Sequence, residues 1–213
     1  MRLALASIAT LIAAPFMSAT AQSDIETPAY RLISEAGPMQ LRDYAPMIAA
    51  EVTVKADNKR EAASRGFRPL AGYIFGGNTA RDKIAMTAPV TSQASQKIEM
   101  TAPVTTTPSS EGEYTVRFIM PREWTMETLP VPNNNRVTLI EVPQHQMAAI
   151  RYVGKDSSKI RSEAEAELTK WLAGEGYRIT GDAVWAGYDG PMTRRSERRY
   201  EIMLPVKKAE DAA

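Results

Sequence analysis

One histidine, His145, and no cysteine set the limits on the chemistry this chain can perform. Thiolate nucleophiles, iron–sulfur clusters, thiolate zinc sites and disulfide scaffolds are excluded, as is any metal site built from several histidines. No Gly-x-Ser-x-Gly turn occurs, and only His145 could serve as the base of a serine nucleophile. Acid–base work by paired carboxylates needs two Asp or Glu at the right separation, and the sequence singles out no such pair. Thioether ligation of Cu(I) favours clustered methionines, whereas the nine that follow residue 21 are dispersed. With no catalytic signature in view, the expectation leans away from an enzyme and towards a binding protein.

The most specific text in the chain is a repeat. Lys83–Val90 (KIAMTAPV) returns 14 residues later as Lys97–Val104 (KIEMTAPV), identical at seven of eight positions. In extended backbone the Ile, Met, Ala and Val of each copy share one face, and Lys, Thr and Pro the other. The spacing predicts two antiparallel strands joined by the polar turn Gln93–Gln96, with paired Ile/Met stripes facing an apolar interior. Pro89 and Pro103 cannot donate to a ladder, so they mark strand ends, bulges or an edge.

These residues need elements to position them. Hydrophobic patterning predicts strands over Tyr30–Ala36, Met39–Tyr44 and Pro46–Lys55. Asp57-Asn58 then caps a helix that runs to about Phe75, where Gly76-Gly77 stops it. Its apolar residues Ala63, Phe67, Leu70 and Ile74 follow at steps of four, three and four, which predicts one buried face. Pro69 removes a backbone hydrogen bond inside it and predicts a kink near Arg65. In the second half, strands are predicted over Tyr114–Met120, Arg136–Val142 and Gln146–Val153. A helix capped by Asp156-Ser157 follows, with Ile160, Ala164, Leu168, Trp171 and Leu172 apolar and Gly174 or Gly176 as its stop. Strands near Asp182–Tyr188 and Arg199–Val206 close the chain. In the last, Tyr200, Ile202, Leu204 and Val206 alternate as in a strand buried on one face.

The halves superimpose at an offset of about 99 residues. Ile48-Ala49-Ala50 falls on Met147-Ala148-Ala149, Asp57-Asn58 on Asp156-Ser157, and Lys83–Val90 on Asp182–Asp189. A duplicated β-α-β-β unit follows. The expected fold is α+β, a distorted antiparallel barrel with two helices packed outside and a cleft between the halves.

Composition agrees with a folded domain. The 213 residues are 44% apolar and 24% charged, with a formal net charge of +1. That apolar fraction excludes a disordered chain, and near-neutrality removes the electrostatic footprint of a dedicated nucleic-acid binder. Residues 1–21 have the form of a signal peptide. Met1-Arg2 precedes an apolar run from Leu3 to about Met17, and Ala19-Thr20-Ala21 offers a small-x-small cleavage site before Gln22. Cleavage there removes one arginine and leaves 25 basic and 25 acidic residues. The expectation is an exported protein, periplasmic or secreted, with no membrane span in the mature chain. Its domain covers residues 28–207, followed by a tail at 208–213.

Several of these segments carry a family likeness. Gly66-Phe67-x-x-Leu70-x-x-Tyr73-Ile74-x-Gly76-x-Asn78 followed by Lys83-Ile84-x-Met86-Thr87-Ala88-Pro89-Val90 resembles the SOUL haem-binding protein family. So do Tyr114–Pro121, Ala186-Gly187-Tyr188-Asp189-x-Pro191 and Arg198-Arg199-x-Glu201, in the expected order across roughly residues 28–207. The resemblance implies a pseudo-duplicated, distorted β-barrel with two helices that binds haem or another tetrapyrrole non-covalently in an apolar cleft. Buffering or transfer of haem is the implied role, with no catalysis established as a family-wide property. Another ligand-binding protein, or a small-molecule hydrolase on a related duplicated barrel, is the alternative. A protein partner is not identified.

A porphyrin needs an apolar slot, basic or hydroxyl groups at the rim and, optionally, an axial ligand for iron. Phe67, Leu70, Tyr73 and Ile74 of the first helix, with Met86 and Met100 of the repeat, are the candidates for the slot. Arg65, Arg68 and Lys83 are the nearby cations for the rim. Some relatives carry a histidine in the segment that here reads Arg42-Asp43-Tyr44, which leaves His145 as the candidate metal ligand and Tyr44, Tyr73 and the methionines as alternatives. Because His145 sits in a polar turn, binding without a strong protein ligand to iron is the expected arrangement.

Overall fold

The structure, a computed structural model, describes residues 25–81 and 95–209. A hairpin of β1 (Tyr30–Ala36) and β2 (Met39–Tyr44) opens it, turning at Gly37, whose φ of +57° favours glycine. Then come β3 (Met47–Lys55), α1 (Lys59–Ile74), β4 (Asn78–Thr79), β5 (Val104–Ser110) and β6 (Glu113–Ile119). After β7 (Val131–Pro132) and β8 (Thr138–Val142) the plan repeats. It runs through β9 (His145–Val153), α2 (Ser158–Glu175), β10 (Tyr177–Ile179), β11 (Val184–Gly187) and β12 (Arg199–Lys208).

All ladders of the main sheet are antiparallel, in the order β1-β2-β9-β12-β11-β5-β6-β3-β8, with β10 beside β12 and a separate β4–β7 pair. Each half places its three strands alike, β3-β6-β5 and β9-β12-β11, and β5 pairs with β11 to join them. The sheet curls into a half-barrel with the helices outside, α1 against β3, β5 and β6, and α2 against β9, β10 and β12. The predicted α+β class, the duplication and the outer helices are all present. The halves also exchange strands: β2 leaves the first half to pair with β9, and β8 leaves the second to pair with β3. The short links Ala45-Pro46 and Pro143-Gln144 therefore cross the open seam of the half-barrel.

Both helix starts lie 99 residues apart, as the internal match predicts. Asn58 Oδ1 accepts from the Glu61 backbone N–H at 3.1 Å, while Glu61 Oε2 accepts from the Asp57 N–H at 3.0 Å. Ser157 Oγ accepts from the Ile160 N–H at 3.3 Å, and Gly176 in the left-handed region ends α2. Loss of the Asn58 acceptor in Asn58→Ala is expected to lower stability by about 1 kcal/mol in urea unfolding.

The buried face of α1 differs from the predicted one. It consists of Ala62, Gly66, Leu70, Tyr73 and Ile74, while Ala63 reaches towards the α2 core and Phe67 is 37% exposed, its ring edge-on to Phe118 at 5.3 Å. Small size decides this rotation. A Cβ on Gly66 would lie 2.5 Å from Val116 Cγ2, so the helix settles directly onto β6 at that residue. Pro69 lies within the continuous helix.

Lys83–Val90 lies outside the described residues, and the second copy of the repeat is not the predicted strand. Lys97 forms an isolated bridge with Phe75 and Thr101 one with Glu26, and regular pairing starts only at Val104, after the cis Ala102–Pro103 bond. The Ile98 N–H donates to Ile74 O and its side chain is fully buried beside α1, while Met100 stands exposed. The apolar stripe is thus split between core and surface. In the first half β5, not the earlier copy, holds the place that β11 holds in the second.

β12 corrects a further expectation. Glu201 and Met203 are as buried as Ile202 and Leu204, because one face of the strand takes α2 and the other faces the barrel interior. No helix among the described residues is long and apolar enough to cross a membrane.

Candidate functional site

A pocket of about 700 Å³ opens at the seam. The segment before β1 (Pro28-Ala29), the two seam-crossing links with Met47 and Ile48, and the connection from Ile119 to Glu127 wall it. Its lining is mainly apolar, with Trp124, Met47, Met120 and Met126 as the large side chains. Those thioethers come from segments far apart in the chain, which is why dispersion in sequence concealed them. Trp124 Nε1 is buried with no hydrogen-bond partner. At the rim Arg122 Nε donates to Glu26 Oε1 at 2.9 Å, and Glu127 and Glu141 complete an otherwise acidic edge.

Beneath this wall the barrel interior holds a polar cluster. Arg42 on β2, 1% exposed, donates Nη1 to Glu201 Oε2 at 2.8 Å and Nη2 to Glu201 Oε1 at 2.6 Å. Its Nε donates to Gln40 Oε1 and its Nη1 also to Tyr44 OH, both at 2.9 Å, and its guanidinium lies 4.7 Å over the Tyr30 ring. Glu201, 4% exposed, accepts in addition from Tyr188 OH at 2.6 Å and from Arg151 Nε at 3.2 Å. Arg151 Nη2 also donates to Gln40 Oε1. Burial pushes the Glu201 carboxyl up, but the Arg42 hydrogen bonds and charge outweigh it and hold the pKa below the usual carboxylate range. Burial, followed by the Glu201 charge, pushes the Tyr188 phenol well above its ordinary value.

A carboxylate that accepts four hydrogen bonds and stays ionised is a weak proton acceptor, and Tyr188 keeps its proton. The geometry of the cluster fits positioning. The neighbouring Asp43 takes an ion pair from Arg31 at 2.9 Å and both hydrogen bonds of Gln144 Nε2, at 3.1 and 3.0 Å, which fixes one seam link against β2. Met47 packs against the interior cluster and also lines the pocket.

The residues singled out from sequence fall in several places. Leu70, Tyr73 and Ile74 interlock with Ile98, Val116 and Leu129 in the core, and Tyr73 OH donates to Pro130 O at 2.9 Å. Phe67 and Met100 are partly exposed on the α1 side, and Arg65 pairs with Glu61 at 2.6 Å. Lys83 and Met86 lie outside the described residues. None of the described members of that set lines the seam pocket. His145 begins β9 just beyond the pocket wall, stacked on Tyr44 at 5.5 Å. Its Nδ1 lies 2.8 Å from Pro143 O, which can only accept, so Nδ1 is the donor of that hydrogen bond. Among the described residues no three His, Cys, Asp or Glu side chains gather as a metal site.

Sequence reasoning missed the pocket wall and the interior cluster. Tyr188 and Glu201 stand within segments that carry the family likeness, but no spacing rule connects residues 159 positions apart, as Arg42 and Glu201 are. The model of the SOUL heme-binding protein family matches residues 25–205. Heme-binding protein 2 of Homo sapiens is 28% identical over 189 residues, 86% of this chain and 87% of that protein, and its Mus musculus counterpart 26% over the same shares. Among solved structures, the EcmrR C-terminal domain aligns at TM-score 0.56 and 14% identity, over 84% of this chain and 99% of the domain. A hydrolase from Listeria innocua aligns at 0.53 and 15%, over 82% and 94%. At such identities these two share the fold.

Proposed function

Because the chain belongs to the SOUL heme-binding protein family, we propose that it binds haem or a related tetrapyrrole, non-covalently, in the seam pocket between its halves. The observation that carries the reading is the pocket itself, at about 700 Å³ and mainly apolar. That volume suits a small-molecule site, for which roughly 300–1,000 Å³ is usual. Ile, Met, Pro and Trp side chains fit the flat apolar faces of a macrocycle. Arg122 is the cation at the rim for its carboxylate edge. In this reading the mature protein starts near Gln22, is exported, and buffers or transfers haem.

His145, next in sequence to the wall residue Gln144 and oriented by its Nδ1 hydrogen bond to Pro143 O, is the candidate axial ligand. In this reading shape and apolar contact supply the main part of the affinity.

A spectroscopic titration with haem and with metal-free protoporphyrin tests the proposal. The expected outcome is binding of both at comparable affinity, with Ala45→Trp, which fills the pocket, weakening both about tenfold or more. Loss of haem binding alone in His145→Ala would assign the iron to His145. Failure of the unaltered protein to bind either compound would overturn the reading.

A further inference from the structure

The far end of β9 carries a different surface. β9 leaves the pocket wall at His145 and runs nine residues to Val153, which places its far end on the order of 30 Å away. There the chain between β11 and β12 folds back on itself. Arg198 donates Nε to Thr193 O at 2.9 Å and Nη2 to Pro191 O at 2.7 Å, and the Thr193 N–H donates to Gly190 O at 3.2 Å. The Gly154 N–H ties the turn after β9 to Arg198 O at 2.9 Å. The connection is therefore a braced platform.

Its tip is apolar and its surroundings are cationic. Met192 is 95% exposed and Val153 62%, the two most exposed large apolar side chains among the described residues. Arg194 and Arg199 have carboxylate partners, Glu197 at 4.0 Å and Asp189 at 2.8 Å. Arg198 is half-buried and held by carbonyl oxygens, with its charge also acting on Asp189. Arg195 and Lys155 are exposed, with no carboxylate in ion-pair range among the described residues. Lys155 and Arg195 are thus the exposed cations of this surface without an ion-pair partner among the described residues, while Asp156, Asp189 and Glu197 pair with Arg161, Arg199 and Arg194.

We propose that this surface docks on an anionic phospholipid surface, with Lys155 and Arg195 at the headgroup phosphates and Met192 at the acyl-chain boundary. An isolated, unbranched apolar side chain on a loop tip flanked by cations suits that boundary. A protein partner would instead favour a cluster of anchors set in pockets. The inference stands apart from the ligand the pocket takes.

Co-sedimentation of the chain from Gln22 onward with phosphatidylcholine vesicles, with and without phosphatidylglycerol, tests it. Binding is expected only to the anionic vesicles and is expected to weaken with salt. The double variant Lys155→Glu/Arg195→Glu should lower partitioning by about tenfold or more, and Met192→Asp several-fold, at unchanged Tm because all three side chains are exposed. Three results overturn the proposal: no binding to anionic vesicles, equal binding to neutral ones, or binding that the charge reversal leaves intact. Capture by polyglutamate without capture by vesicles also overturns it, in favour of an acidic protein surface.

Discussion

Replacing Arg42 with alanine is expected to destabilise the protein by about 3–5 kcal/mol, the cost of leaving a buried carboxylate without its partner. The guanidinium is 1% exposed and meets Glu201 through two hydrogen bonds, so no water can take its place without opening the barrel interior. Arg151 remains as a donor to Glu201 Oε1 at 3.2 Å, but its side chain is half exposed and supplies one hydrogen bond where Arg42 supplies two. Glu201→Ala should cost a similar amount by stranding Arg42. In a double-mutant cycle read by urea unfolding, the Arg42→Ala/Glu201→Ala protein should be markedly less destabilised than the sum of the single variants. Additive losses would mean that the two side chains are not coupled.

The same pair gives stability a definite pH dependence. The Glu201 carboxyl titrates lower in the folded protein than in the unfolded chain. Its contribution is therefore fully present at neutral pH and is lost as pH falls below about 4, where the unfolded carboxyl takes up its proton first. Urea midpoints measured from pH 7 to pH 3 should drop at the acid end in the unaltered protein. Glu201→Gln should start lower and show a shallower acid decline.

Gly66→Ala is expected to destabilise by about 1–3 kcal/mol, opposite in sign to what helix propensity alone gives. In an exposed helix interior this exchange stabilises by up to about 1 kcal/mol. Here the new Cβ would meet Val116 Cγ2 at 2.5 Å and Cβ at 2.6 Å, and a β-branched side chain held in the core has no rotamer to retreat into. Combining Gly66→Ala with Val116→Ala should relieve the overlap and return part of the loss. An increase in Tm for Gly66→Ala alone would show that α1 does not rest on β6 as described.

Much of the architecture was legible in sequence because it is written in local physics. Period-two and period-3.6 patterns located most of the long strands and both helices, though not β5, and the pairs Asp57-Asn58 and Asp156-Ser157 contain the observed caps Asn58 and Ser157. The internal match at an offset of about 99 predicted the duplicated unit. Patterning was less reliable where two apolar arrangements compete. The chain offers both Ala63/Phe67 and Ala62/Gly66 as inner positions for α1, and the second won because small residues allow closer approach to β6. The repeat ending at Val104 looked like strand text, yet Pro103 and the burial of Ile98 beside α1 keep most of it out of the sheet.

The sequence by itself determined the limits of the chemistry, the α+β class, the duplication and the family likeness, since each depends on residue types or on neighbours close in the chain. Only the tertiary structure decided where a ligand has room and what fills the barrel interior. The strand exchange that creates the seam pocket, and the meeting of β2 with β12 through Arg42 and Glu201, join residues about a hundred positions or more apart. Periodicity reports which face of a strand is apolar. It carries no information about which distant strand lies beside it, nor that a strand such as β12 has both faces enclosed.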